Sequence, residues 1–168
     1  ILSYLILGGK CFRCKRRIPF RYFFVEVLNA VSWLLIWKAI GLSAVSAISA
    51  VFVSMMIVVT ITDLETGLIP DKITIPGMIL GLCVSVVNVN AFPEGLWYHK
   101  LLASAAGLLG GGAILYLTGW IGTKVFRKES MGGGDVKLLA MVGAFTGIEK
   151  VFLIFMLSPF IALPYALF

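Results

Sequence analysis

The sequence has little charge for its length, and this scarcity excludes most soluble folds. Charged residues make up 13% of the 168 residues, whereas hydrophobic residues make up 60%. A soluble domain usually contains about 25% charged and about 45–50% apolar residues. Because lipid accommodates this excess of apolar side chains better than a large protein core does, the composition predicts an integral membrane protein.

Histidine and cysteine are also scarce, with one histidine and three cysteines. Cys11 and Cys14 form a Cys-x-x-Cys pair, which supplies two of the four ligands that structural zinc takes. Cys83 belongs to an apolar run, and we expect His99 on the opposite side of the membrane. A complete zinc site built from these residues alone is therefore excluded. Cys11 and Cys14 remain either a zinc half-site or free thiols, and a disulfide is disfavoured on a reducing face.

Six apolar runs have roughly the ~20 residues that a membrane-spanning helix needs, and glycine and proline separate them. The pattern predicts an all-α polytopic bundle of about six transmembrane or partly re-entrant helices. We divide the chain into a basic loop at 1–21 and a transmembrane domain at 22–168. Because it starts at Ile1 and ends inside an apolar run, we expect a fragment of a longer protein. The predicted spans are 22–40, 43–62, 73–92, 101–123, 136–147 and 151–168.

Basic residues concentrate on one side of this topology. Of the 14 lysines and arginines, all but Lys38, Lys100 and Lys150 fall on the same side, which the positive-inside rule makes cytosolic. The net charge of +6 is then mainly a topology signal, and we expect a lipid bilayer as partner and no nucleic acid. The cytosolic set is Lys10, Arg13, Lys15, Arg16, Arg17, Arg21, Lys72, Lys124, Arg127, Lys128 and Lys137.

Two segments on the predicted cytosolic side carry most of the informative acids. The first is TDLETGLIPD at 62–71, and the second is MGGGDVK at 131–137. Two spans separate them, so Asp63 and Asp135 return to the same face. From Asp135 to Glu149 a helix rises only about 21 Å, against a hydrocarbon core about 30 Å thick. Asp135 is therefore expected below the cytosolic surface, where an ionisable residue is a functional candidate.

The three glycines before Asp135 allow two interpretations. Gly132, Gly133 and Gly134 permit unusual backbone shapes and close approach of another segment. Non-helical backbone at membrane depth is tolerated where protein or a water-filled cavity surrounds it, which favours a wet pocket. Alternatively, the glycines form a flexible loop and Asp135 caps a helix. Both interpretations stay open from these residues alone.

Two carboxylates in a partly dehydrated pocket tend to share one proton. One can then activate a water while the other protonates the leaving group, which hydrolyses a peptide bond without a metal or cofactor. An ion-coupled or proton-coupled transporter also uses intramembrane acids. However, the runs show no inverted repeat, and both acidic segments face one side rather than the midplane. A structural subunit without activity is a third alternative.

The same segments resemble the signature segments of the type IV prepilin peptidases. These are TDLETGLIPD (62–71), MGGGDVKLL (131–139) and LSYLILGGKCFRCKRRIPFRYFFVEVLNA (2–30). The Gly-x-Gly-Asp pattern is also similar to that of presenilin-like intramembrane aspartyl proteases. The resemblance implies an aspartic endopeptidase that removes the basic leader of type IV prepilins or pseudopilins. It implies cleavage at the cytosolic face of the bacterial inner membrane, with Asp63 and Asp135 as the catalytic pair.

Four further polar residues are candidates for a supporting role or for the substrate pocket. Glu65 either holds a basic leader or is merely solvated, and Asp71 is interpreted first as a helix N-cap. Lys137 either extends to the interface or biases the titration of the two aspartates. Glu26 either reaches back to the interface or makes a polar contact within the bundle or with substrate.

The resemblance also bears on cofactors. Bacterial members of the family carry an upstream Cys-x-x-Cys, which would precede Ile1 and could share zinc with Cys11 and Cys14. Their N-terminal region accompanies N-methylation of the cleaved pilin with S-adenosylmethionine. This sequence lacks most of that region, so the methyltransferase activity is expected only of the full-length protein. The sequence predicts no particular oligomeric state.

The predicted orientation can be tested with reporter fusions. A reporter fused near Arg127 is expected to read cytosolic, and one near Pro93 is expected to read external, because basic residues retain their loops in the cytosol. The measurement is the compartment-dependent activity of each fusion. The reverse pattern would overturn the orientation.

Overall fold

The computed structural model describes residue 4 and residues 6–87, 96–127 and 131–167. Within these residues the regular structure consists of six α-helices, apart from one isolated bridge between Lys10 and Arg17. The predicted all-α polytopic membrane fold is confirmed. The helices are α1 (Phe20–Ile40), α2 (Ala44–Thr66), α3 (Asp71–Val84), α4 (Trp97–Phe126), α5 (Gly133–Thr146) and α6 (Ile148–Leu167).

Three of the described helices are long and apolar enough to cross a membrane. They are α1 with 21 residues, α2 with 23 and α4 with 30. In contrast, α5 has 14 residues and rises only about 21 Å, which is shorter than a hydrocarbon core of about 30 Å. The short helix therefore fits the expectation of a partly re-entrant element.

One predicted span differs from the observed helix. The sequence predicts a span at 73–92, whereas α3 begins at Asp71 and ends at Val84. The hydroxyl of Ser85 donates to the carbonyl oxygen of Leu82 at 2.7 Å, which satisfies one of the last carbonyls of the helix. The β-branched and asparagine-rich sequence that follows has low helix propensity. The turn predicted at 93–95 lies outside the described residues.

The chain forms two compact units, residues 1–58 and 59–168, and their boundary falls inside α2. In the first unit, polar side chains connect α1 to α2. The indole Nε1 of Trp33 donates to the hydroxyl of Ser54 at 2.9 Å, and that hydroxyl lies 2.8 Å from the amide oxygen of Asn29. Such interhelical hydrogen bonds satisfy polar groups that lipid cannot.

The second unit is built around α5, which contacts α3, α4 and α6. Seven consecutive residues of α5, 139–145, are buried, and Met141 and Ala144 are 0% exposed. Because consecutive helical residues point in all directions, this stretch is covered on every side. This stretch of α5 is thus positioned by the neighbouring helices rather than by lipid.

Glycines make the contact between α4 and α5 unusually close. A Cβ atom added to Gly107 would overlap the carbonyl oxygen of Gly143, and one added to Gly143 would overlap that of Gly107. One turn further, a Cβ at Gly111 would lie 2.5 Å from the carbonyl oxygen of Leu139. The backbones therefore approach to a separation that only glycine allows. The Gly107-x-x-x-Gly111 motif has the helix-packing role expected of such a pattern.

We expect Gly107→Leu to destabilise the protein, because its side chain would have to displace the backbone of α5. Overpacking usually costs about 1–3 kcal/mol, and a backbone obstacle gives little room to relax. The measurement is the free energy of unfolding in detergent. The matched control is Ala106→Leu, which places the same side chain on the exposed face of the same turn. Equal stability of the two variants would contradict the close packing of α4 and α5.

Candidate active site

Asp63 lies in the last turn of α2, where glycine ends the helix. Gly67 has φ +64, and its N–H donates to the carbonyl oxygen of Asp63 at 2.7 Å. Left-handed glycine directly after a helix is a common C-terminal arrangement, because other residues are strained there. The Asp63 side chain is exposed. The helix end thus presents this carboxylate at the start of a short loop, 67–70, that leads into α3.

Asp135 lies in the first turn of α5, three residues after the N-cap residue Gly132. Its carboxylate accepts a hydrogen bond from the N–H of Gly132. A carboxylate at this position commonly reaches back to the N-cap N–H, which is otherwise unpaired. The structure therefore contains the helix-capping contact that the sequence left open. The cap does not exclude a functional role, because the same carboxylate also has a charged neighbour.

That neighbour is Asp63, which lies 72 positions away in the sequence. Asp135 lies outside the three helices long enough to span a membrane and is half-buried. Burial raises the pKa of the Asp135 carboxyl above its ordinary value, and the nearby charge of Asp63 raises it further. The hydrogen bond from Gly132 opposes both effects by stabilising the carboxylate. The fold therefore brings two carboxyl groups within range of each other's charge.

The three glycines before Asp135 contribute unequally. A Cβ added to Gly134 would lie 2.9 Å from the Cβ of Ile69, so this glycine lets the 67–70 loop contact the first turn of α5. A Cβ at Gly133 would meet nothing within 4 Å. The expectation of non-helical backbone is wrong for Gly133 and Gly134, which belong to α5. Gly134 lets the loop come close because it has no side chain, and not because its backbone adopts an unusual conformation.

Asp71 and Lys137 form an ion pair that the sequence did not predict. The Nζ atom of Lys137 lies 2.8 Å from Oδ1 and 2.7 Å from Oδ2 of Asp71. The interpretation of Asp71 as an N-cap is wrong, because Pro70 occupies that position and Asp71 is the first residue of α3. Lys137 likewise contacts a carboxylate on another helix instead of only extending to an interface. No local pattern signals a contact between residues 66 positions apart.

The other two acidic candidates are exposed. Glu65 lies in the last turn of α2, two residues after Asp63, and belongs to the second unit. Glu26 lies in α1 and belongs to the first unit. Their predicted roles stay predictions.

Cys11 and Cys14 lie in a tight turn before α1. The backbone N–H groups of Cys14 and Arg13 donate to the Cys11 sulfur and lower the pKa of its thiol, with a further contribution from the Cys14 side chain. Such donors suit a thiolate that binds a metal. However, the described residues contain no group of three or more potential ligands among His, Cys, Asp and Glu. Structural zinc takes four ligands, so these residues do not form a complete site.

Two family models match most of the chain. The model of the type IV leader peptidase family matches residues 50–167, and that of the bacterial peptidase A24 N-terminal domain matches residues 1–40. No solved structure matches the chain.

Three curated relatives are each named prepilin leader peptidase/N-methyltransferase. The protein from Pseudomonas putida is 35% identical over 158 residues, which cover 94% of this chain and 52% of the relative. That from Neisseria gonorrhoeae is 31% identical, covering 97% and 54%, and that from Bacillus subtilis is 32% identical, covering 98% and 61%. The chain thus spans about half the length of the curated relatives it matches. The family match over most of the chain shows that this protein belongs to the type IV leader peptidase family.

Proposed function

We propose that the protein is a membrane aspartic endopeptidase that removes the basic leader from type IV prepilins or pseudopilins. The observation that carries this proposal is the proximity of Asp63 and Asp135, two carboxyl groups that interact at adjoining helix ends. Membership of the type IV leader peptidase family supplies the substrate class. The relatives' printed name, prepilin leader peptidase, supports the same assignment.

The environments of the two carboxyl groups suggest different roles. Asp135 is the group whose pKa is raised, so it retains a proton at a pH where an ordinary aspartate has lost it. We assign it as the general acid and Asp63 as the general base. Asp63 takes a proton from water as the water oxygen bonds to the scissile carbonyl carbon. The carbonyl oxygen takes up the C=O electron pair during this attack. Asp135 then gives its proton to the leaving amine as the carbonyl re-forms and the C–N bond breaks, and transfer of the proton from Asp63 to Asp135 restores the starting state.

We place the proposed site on the cytosolic face of the bacterial inner membrane. Most basic residues fall on the same predicted side as Asp63 and Asp135, which supports this orientation. The exposed Asp63 and Glu65 put negative charge where a basic leader would arrive. Charge complementarity of this kind favours encounter with a basic segment. Glu65 is therefore our candidate for leader binding, separate from the chemistry.

Activities beyond proteolysis are proposed only for the full-length protein. The relatives' name includes N-methyltransferase, and the corresponding step would methylate the new amino terminus with S-adenosylmethionine. Cys11 and Cys14 would supply half of a zinc site there, completed by ligands that this chain does not contain. Neither cofactor takes part in the proposed hydrolysis.

A transporter fits the arrangement less well. Coupling acids in transporters lie near the bilayer midplane, at breaks within helices. Here Asp63 lies three residues before the end of α2, and Asp135 lies in the first turn of α5. Both carboxyl groups are thus at helix ends, where they can meet a soluble peptide segment.

Replacing either aspartate by asparagine is expected to abolish cleavage. Asn can neither accept nor donate the transferred proton, and general acid–base catalysis contributes about 10²–10⁴-fold. The measurement is cleavage of a prepilin leader by the full-length protein in detergent, comparing Asp63→Asn and Asp135→Asn with wild type. Glu149→Gln, an exposed carboxyl at the start of α6, is the matched control and should cleave normally. Near-normal cleavage by either aspartate variant would refute the assignment.

The Gly132 hydrogen bond predicts a pH effect. Its N–H stabilises the Asp135 carboxylate, so removing the donor should raise the pKa of Asp135 still further. Gly132→Pro lacks the N–H, and the observed φ of −71° suits proline. If Asp135 is the acid, kcat/KM falls as pH rises through its pKa, and this alkaline limb should move to higher pH.

The control for this experiment is Gly132→Ala, which retains the N–H donor. Its added Cβ would lie 3.4 Å from Oδ2 of Asp135, a distance that the carboxylate can accommodate. The alkaline limb of this variant should coincide with that of wild type. A limb that moves equally in both variants, or only in the alanine variant, would contradict the proposed role of the hydrogen bond.

A further inference from the structure

The ion pair between Asp71 and Lys137 joins the N-terminal parts of two helices. Asp71 is the first residue of α3, and Lys137 is the fifth residue of α5. Both carboxylate oxygens lie within 2.8 Å of the same ammonium, so the contact has defined geometry and is not a loose approach of charges. The side chains are 42% and 53% exposed, for Lys137 and Asp71 respectively.

In the sequence, each member of the ion pair follows one of the proposed catalytic residues by a few positions. Asp63 is followed by the last residues of α2, the 67–70 loop and then Asp71. Asp135 precedes Lys137 by two residues, and two residues of an α-helix differ by about 200° around its axis. Lys137 therefore points away from the direction of Asp135. The start of α5 thus interacts electrostatically with Asp63 of α2 through Asp135, and forms an ion pair with the start of α3 through Lys137.

A second contact acts at the same place. Gly134 lies against Ile69, and a Cβ on the glycine would lie 2.9 Å from the Cβ of that isoleucine. Ile69 belongs to the loop between Asp63 and Asp71, so this contact opposes movement of α5 toward the loop. The ion pair opposes movement away from it. Together they limit the position of the first turn of α5, and hence of Asp135, relative to Asp63.

We propose that Lys137 and Asp71 are positioning residues that fix the distance between Asp63 and Asp135. The inference rests on the proposed peptidase function. An exposed ion pair contributes little to global stability. Burial of residues 139–145 already secures the remainder of α5. The pair should therefore affect the distance between the catalytic groups more than it affects global stability. A displacement of about 1 Å between such groups can cost about 100-fold in rate.

The first experiment is a double-mutant cycle on kcat and KM in the full-length protein. Asp71→Asn and Lys137→Gln should each lower kcat by about 10–100-fold and leave KM within about twofold. Because both remove the same contact, the double variant should be no worse than either single one. The charge-reversed pair, Asp71→Lys with Lys137→Asp, should recover at least about a third of wild-type kcat. Lys72→Gln, the neighbouring exposed lysine, is the control and should leave kcat unchanged.

The second experiment measures the distance directly and needs no activity. Asp63→Cys and Asp135→Cys are combined with Cys11→Ser, Cys14→Ser and Cys83→Ser, and the two thiols are joined with short bifunctional reagents. The cross-linking yield should fall severalfold when Lys137→Gln is added. It should stay the same when Lys72→Gln is added instead.

The outcomes separate this inference from the proposed function. Additive losses in the double variant, no recovery by charge reversal, or unchanged cross-linking would each overturn the positioning role. A folded wild type that cleaves no prepilin would contradict the peptidase function instead. The cross-linking yields would then decide on the positioning role alone.

Discussion

The backbone contact between Gly107 and Gly143 is the constraint on which the rest of the second unit depends. A Cβ atom added to either glycine would overlap the carbonyl oxygen of the other. This proximity also lets the hydroxyl of Ser104 donate to the carbonyl oxygen of Ala144 at 2.6 Å. A helix of 14 residues cannot anchor itself at both membrane surfaces. The position of α5, and with it the depth of Asp135, therefore follows from packing against α4.

The start of α5 is governed by electrostatics as well as by the contact of Gly134 with Ile69. Residues 139–145 are all buried, but the first five residues of α5, which include Asp135 and Lys137, are not. Burial and the charge of Asp63 disfavour ionisation of Asp135, while the N–H of Gly132 favours it. Each of these effects depends on the distance between Asp135 and the group concerned, so the pKa of its carboxyl group depends on the local geometry. A site of this kind needs a geometric restraint nearby, and the Asp71–Lys137 pair is the contact that we propose for it.

Much of the fold could be predicted because its signals are local. Apolar runs predict the helices, and two spans between Asp63 and Asp135 are enough to predict that both return to one face. The Gly107-x-x-x-Gly111 pattern is typical of close helix packing because small residues leave a flat helix surface.

The remaining features depend on tertiary contacts that no local pattern encodes. Gly133 and Gly134 suggest a loop, since glycine is a poor helix former, yet packing of Gly134 against Ile69 overrides that propensity. Asp71 and Lys137 belong to segments 66 positions apart, and neither sequence neighbourhood indicates a partner. The end of α3 at Val84 was missed because the apolar run continues beyond the helix.

The proposed chemistry depends on the contrast between the two carboxyl groups. In water, two aspartates would both be ionised at neutral pH, and neither could protonate an amine. In lipid, ionisation is so costly that neither could act as a base. In the proposed mechanism an exposed Asp63 beside a half-buried Asp135 avoids both limits, because one group is open to solvent while burial raises the pKa of the other. The helix ends provide this contrast, since Asp63 lies in the last turn of α2 and Asp135 in the first turn of the short helix α5.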